Sequence, residues 1–175
     1  MAIVDPVGLP RLALMQQELI RHLDAALMAQ HSTIEYWFRR QSQRTRPPLY
    51  ASVDLRNAGF KLAPVDTNLF PAGFNNLAPD CHALCVQAMR QAIERSCPTA
   101  SRVLIIPESH TRNPHYLESL GTLASLVAQA GFEVRIGSLR ADLKAPMPLD
   151  APSAPHLLLE PVTRQGARVG VADFD

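Results

Sequence analysis

Four consecutive apolar residues, Val103-Leu104-Ile105-Ile106, constrain the fold of this chain more than any other stretch. A run this short and this rich in branched side chains suits a strand buried on both faces, as in a parallel sheet. Helical patterns flank it. Upstream, Cys81, Leu84, Cys85, Ala88, Met89, Ala92 and Ile93 recur at three and four residues and stop at Cys97-Pro98. Pro79 fits the first turn of that helix, with Asp80 near its positive end. Downstream, Asn113-Pro114 reads as a helix start, asparagine as cap and proline at the first helical position. Leu117, Leu120, Ala124 and Val127 follow at helical spacing, Gly131 fits the helix end, and 132–136 reads as the next strand. Strands alternating with helices of this length imply βαβ units: an α/β fold with a mostly parallel sheet and flanking helices.

The remaining elements frame this unit. Residues 10–30 read as an amphipathic helix. Ser32 and Glu35 then have the spacing of a capping box, so a second helical piece is expected to bury Ile34, Trp37 and Phe38. Its basic end, Arg39, Arg40, Arg44 and Arg46, complements the helix dipole, and Pro47-Pro48 close it. Residues 50–56 form a first strand candidate. Residues 144–155 hold four prolines and read as an extended, solvent-facing connection. Two further strands, 156–160 and 168–171, are expected to be joined by a turn at Gln165-Gly166. The organisation that follows is an N-terminal helical segment, 1–46, packed on an α/β domain, 47–175.

Composition excludes several classes. With 47% hydrophobic and 19% charged residues in 175, the chain suits one domain with a real core. A net charge of +1 gives no whole-chain field for nucleic acid or an anionic membrane. Eighteen consecutive apolar residues occur nowhere, and 1–10 lack the basic start and apolar core of a signal peptide. Cysteines 81, 85 and 97 do not make a closed disulfide set and read as reduced thiols of a cytoplasmic protein. Cys81 and Cys85 share a helix face as small core residues, with His82 on another face.

The polar residues gather in two loops. The first lies in SVDLRNAGFKLAPVDTNLFPAGFNNL, residues 52–77, which after a short alternating run shows no clean period for about twenty residues. Such a loop is usually functional or disordered. Phe60, Leu62, Val65, Leu69, Phe70, Phe74 and Leu77 supply apolar surface to pin it, so an ordered loop is expected. The second is PESHTRN, 107–113. Ligands of parallel sheets bind beyond the carboxyl ends of the strands, and both loops leave strands at that end, so they are expected to converge on one site. Arg56 and Arg112 could each grip a carboxylate bidentately. Asn68, Asn75, Asn76 and Asn113 offer donors and acceptors for an α-amino acid head group. Asp66 or Glu108 could hold an ammonium, and His110 could be a general base, which leaves a hydrolase open. Lys61 could face a phosphate, since an ammonium is a good point-charge partner. Structural roles compete: Asn113 as helix cap, Asn57, Asn75 and Asn76 as turn residues, Glu108 as partner of loop amides, His110 as a core hydrogen-bonder. Neither a glycine-rich phosphate loop nor a carboxylate cluster for Mg²⁺ stands out.

The two motifs, 52–77 and 107–113, resemble the N-terminal part of the proteobacterial type of glutamate–cysteine ligase, also called γ-glutamylcysteine synthetase. The long motif is highly specific, and the resemblance covers essentially the whole chain, although family members are far longer. It implies the opening portion of an enzyme similar to ATP-grasp ligases, with a Rossmann-like domain of the kind that precedes an ATP-grasp domain. It further implies activation of the γ-carboxylate of glutamate by ATP and Mg²⁺ as an acyl phosphate, then attack by the amine of cysteine. The partners implied are small molecules: glutamate, cysteine and ATP; a homo-oligomer stays open. By this resemblance Arg56, Asn57, Lys61, Asp66, Asn68, Asn75, Asn76, Glu108, His110, Arg112 and Asn113 are substrate-side candidates, and a lone 175-residue chain is expected to be inactive. A standalone amino-acid or peptide-binding module is the alternative.

Overall fold

The computed structural model describes residues 8–58, 61–70, 72–108, 113–149, 151 and 156–174, with backbone alone at 8–16. Two compact units emerge: Met1–Pro48 with Arg56–Ala63, and Leu49–Leu55 with Pro64–Asp175.

The first unit holds α1 (Gly8–Ala29) and α2 (His31–Arg44). Helical bonding scarcely pauses between them: Gln30 N–H bonds the carbonyls of Ala26 and Leu27 at 3.2 Å, and Ile34 N–H bonds Gln30 at 3.0 Å. The expected capping box is therefore not formed. Gln30 takes the cap position without a side-chain bond, and Ser32 lies inside the helix. Trp37 and Phe38, expected to be buried, are 54% and 55% exposed; they pack on each other edge to face at 5.1 Å.

Strands β1 (Ser52–Asn57) and β2 (Leu62–Asn68) pair as a separate two-stranded sheet. This corrects two expectations. The irregular loop after Asn57 is in its first half a strand, and the connection is closed by Ala58 N–H to Lys61 C=O at 3.0 Å. Pro64 and the polar run 66–68 disguise it, but a two-stranded ribbon consists of edges, where a missing N–H is tolerated. Among the described residues, the apolar side chains expected to pin the loop do so only at its end: Leu62, Val65, Leu69 and Phe70 are exposed, whereas Phe74 and Leu77 pack against the core; Phe60 lies outside the described residues. Nor does β1 belong to the parallel sheet.

That sheet belongs to the second unit. After 3₁₀ turns at Phe74–Asn76 and Pro79–Cys81 come α3 (His82–Ser96), β3 (Arg102–Ile105), α4 (Pro114–Gln129), β4 (Glu133–Ser138), β5 (Met147–Pro148) and β6 (Leu158–Pro161). The strand order is β3-β4-β6-β5. β3, β4 and β6 run parallel, in register Val103 opposite Val134 and Ile136 opposite Leu159, and β5 is an antiparallel edge. The fold is mixed α/β with small sheets. β3 is itself an edge strand, so only Ile105 of its apolar run is buried; Val103 and Leu104 are half-buried and Ile106 is exposed. The turn at Gly166 joins β7 (Thr163–Gln165) to β8 (Arg168–Gly170), rather than linking β6 to β8, because β6 pairs with β4 instead.

α4 is the centre of the core. Leu120 and Leu126 are fully buried, and Leu123, Ala124 and Val127 nearly so, packed with Met89 and Ile93 of α3 and with Ile105 and Ile136 of the sheet. A helix apolar on most sides is a buried helix. On α3 only Met89 and Ile93 of the expected stripe are buried; Cys81 and Leu84 are exposed. The 144–155 connection is not wholly solvent-facing, since Leu149 and Ala151 enter the core.

Two features lock the sheet. Gly137 of β4 lies under Val162 and Leu104, where an added Cβ would sit 2.5 Å from Val162 Cγ2 and 3.1 Å from Leu104 Cδ1. Arg135 donates to both carboxylate oxygens of buried Glu160, at 2.9 and 3.2 Å, and with Arg102 covers the ring of Phe174. We expect Gly137→Ala to lower stability by ~1–3 kcal/mol in urea denaturation, since β-branched Val162 yields little. Arg135→Met removes the partner of a carboxylate that is 4% exposed and should cost ~1–3 kcal/mol, less than a fully buried pair because Arg135 is itself partly solvated. Glu160→Gln, which leaves no buried charge behind, should cost less by the same assay.

Candidate functional site

The carboxyl end of β3 leads to the amino end of α4, and there the second unit forms an open hollow of about 480 Å³. Ala72, Gly73, Asn75, Asn76, Asn113, His115, Tyr116 and Ser119 line it. Gly73 has φ 74°, a left-handed conformation glycine adopts without strain, and it starts the 3₁₀ turn that carries Asn75 and Asn76. Phe74, from the same turn, packs edge to face on Tyr50 at 5.3 Å. The end of the 52–77 stretch and the start of α4 thus do meet. The route differs from the one expected: the turn packs directly on α4, with no shared sheet between β1 and β3.

The polar groups have defined tasks. Asn113 caps α4, its Oδ1 accepting from His115 N–H at 3.0 Å, and its carbonyl accepts from Tyr116 N–H and Leu117 N–H at 3.1 and 3.2 Å. Pro114 has no N–H, so the amides of the first turn are satisfied within the helix end. Tyr116 Oη accepts from the backbone N–H of Glu108 at 2.9 Å, tying the loop after β3 to the helix. Ser119, 2% exposed, donates from Oγ to Asn75 Oδ1 at 2.6 Å. Amides, a phenol and an imidazole in one hollow can match donors and acceptors of a small polar ligand.

Of the expected site residues, Asn75, Asn76 and Asn113 line this hollow together. Glu108 does not line it, but its backbone N–H is bonded to Tyr116, which does. Asp66 and Asn68 do not join them. Both sit on β2, where Asp66 accepts from Thr67 N–H at 2.9 Å and from Asn68 Nδ2 at 3.1 Å. Arg56, Asn57 and Lys61 lie at the tip of the β1–β2 ribbon, within the first unit. His110 and Arg112 fall outside the described residues. Sequence reasoning missed His115, Tyr116 and Ser119. A serine on the buried flank of an otherwise apolar helix was the available signal. A second hollow, about 290 Å³ beside Phe174, is lined by Arg168, Asp173 and the β7–β8 ribbon. It holds neither polar loop.

Burial pushes the phenols of Tyr116 and Tyr50 above the ordinary tyrosine range; Glu108 N–H partly offsets this at Tyr116, and Tyr116 adds to it at Tyr50. Their folded-state pKa values exceed those of the unfolded chain. Their contribution to stability is therefore complete below about pH 10 and falls as pH rises through the raised values. Urea denaturation between pH 9 and 11 should show this loss, with a shallower slope in Tyr116→Phe.

The family model described as Glutamate-cysteine ligase matches residues 24–175. A search of curated proteins found no match. Among solved structures, the chain is similar to a protein of Methylobacillus flagellatus KT provisionally named γ-glutamylcysteine synthetase, with 52% identity and a TM-score of 0.77. The likeness covers 88% of this chain and 36% of that one, so the chain spans little more than a third of that protein's length. With the family model matching all of the α/β unit and most of the chain, the chain belongs to the glutamate–cysteine ligase family.

Proposed function

We propose that this chain supplies the amino-acid side of an ATP-dependent ligase that joins the γ-carboxylate of glutamate to the amine of cysteine through γ-glutamyl phosphate, in glutathione biosynthesis. It would be the front part of a longer cytoplasmic enzyme. The observation that carries the reading is the hollow at the end of β3. Asn75, Asn76 and Asn113, all from the two motifs that mark the family, converge there. Amide side chains both donate and accept, which suits an amino-acid head group that carries a carboxylate beside an ammonium. Three parallel strands, with α4 joining the first two, support a Rossmann-like domain of the kind that precedes an ATP-grasp domain.

The nucleotide is a different matter. The described residues contain no group of three or more His, Cys, Asp or Glu that could hold a metal ion. The hollow's lining of amides, phenol and imidazole likewise does not fit a magnesium-bound triphosphate, which needs hard carboxylate oxygens and cationic partners. In this reading ATP and Mg²⁺ are held by other parts of the enzyme, and the chain's own residues bind and orient the amino acid.

One wall of a site should bind weakly. Titration of the ¹⁵N-labelled chain with L-glutamate is expected to shift the side-chain amides of Asn75, Asn76 and Asn113 with a millimolar dissociation constant, and the chain alone should form no γ-glutamylcysteine from glutamate, cysteine and ATP. Micromolar binding would favour a standalone amino-acid-binding module. Unmoved amides would remove the hollow from the substrate site.

A further inference from the structure

We infer that Ser119 is a positioning residue: its buried hydroxyl fixes the Asn75 amide so that the NH₂ group serves the hollow as a carboxylate donor. The inference rests on the amino-acid reading of this hollow and adds a residue and a polarity to it.

The geometry begins with an unusual choice by a helical serine. Hydroxyls within helices commonly bond the carbonyl four residues back, as Thr122 does with Glu118 C=O at 2.9 Å. Ser119, three residues earlier on α4, instead donates to Asn75, forty-four residues away. The bond is short, 2.6 Å, and its donor is 2% exposed. Water therefore competes poorly for it, and a lost partner would leave a polar group stranded. It also joins the 3₁₀ turn Phe74–Asn76 to α4, the most deeply buried helix of the unit, so the turn inherits the helix's rigidity.

An asparagine amide has two faces of opposite character, and one bond decides which is presented. With Oδ1 accepting from Ser119, the oxygen is turned toward the core and Nδ2 is left to the solvent side, where Asn75 is exposed. Tyr116 adds a second donor. Its Oη accepts from Glu108 N–H and keeps its own proton to give. The backbone amides at the head of α4 are already taken by Asn113, so recognition falls to these side chains. Two such donors suit a group that accepts on two oxygens, a carboxylate.

The test uses the 175-residue chain, L-glutamate as probe, and four variants: Ser119→Ala, Ser119→Thr, Asn75→Asp and the double Ser119→Ala/Asn75→Asp. Without ligand, Ser119→Ala should shift the side-chain amide signals of Asn75 while circular dichroism stays native, and Ser119→Thr, which keeps the hydroxyl, should restore them. With glutamate, Ser119→Ala should weaken binding about five- to tenfold, since a loosened Asn75 amide loses part of one hydrogen bond to a charged group. Asn75→Asp, which replaces the NH₂ donor, should weaken it at least as much, and the double variant no further, because the two act as one unit. Unchanged Asn75 signals in ligand-free Ser119→Ala would overturn the inference whatever the ligand does. So would wild-type affinity in Ser119→Ala beside weakened binding in Asn75→Asp, which leaves the amino-acid reading standing. Additive losses would make Ser119 a direct ligand contact and overturn the positioning role. Absence of any glutamate response in the wild type would overturn the amino-acid reading, and the carboxylate role with it, even where the ligand-free shifts occur.

Discussion

The burial of α4 is the constraint on which the rest of the second unit depends. Leu120, Leu123, Leu126 and Val127 fill the space between α3 and the parallel strands, and no other helix contributes as many buried side chains among the described residues. Because this helix is held on its long flank, its amino end is held too. Asn113 and Pro114 start it where β3 has just ended, and Tyr116 and Ser119, one turn apart, reach back to Glu108 and across to Asn75. The same packing energy that makes a core thereby makes a rigid rim. Side chains carried on such a frame keep their geometry because the helix beneath them is fixed.

How much of this was legible in the sequence follows from the range of each interaction. The strand at 102–105, the cap at Asn113, proline at the first turn of α4 and the turn at Gly166 were readable because each is decided by neighbours within a few residues. The ribbon of β1 and β2 was not. Its alternation is broken by Pro64 and by Asp66, Thr67 and Asn68, and it has no buried face to enforce a clean period. The burial of Trp37 and Phe38 was read from spacing alone, but periodicity says which residues share a helix face, not whether anything covers it. Leu149 and Ala151 show the converse: prolines announce an extended segment, yet an extended segment can still send two side chains into a core.

The site divides along the same line. Asn75, Asn76 and Asn113 are polar, close to glycine or proline, and visible as candidates in one dimension; the structure gathers them. Asp66 and Asn68 looked equally suitable, but on β2 they satisfy each other. Ser119 stood out in the sequence only as a serine on an apolar helix face, because its partner lies forty-four positions away. Membership of the glutamate–cysteine ligase family gives the hollow a chemical context.

The central claim is that the turn bearing Asn75 handles the amino-acid substrate. Its most direct test is kinetic, in a chimera whose matched portion of the Methylobacillus flagellatus protein is replaced by this chain. Glutamate- and cysteine-dependent ADP release should persist, and Asn75→Asp should raise the KM for one amino acid about tenfold or more while the KM for ATP stays within about twofold. An active chimera in which Asn75→Asp leaves both amino-acid KM values unchanged would contradict the account.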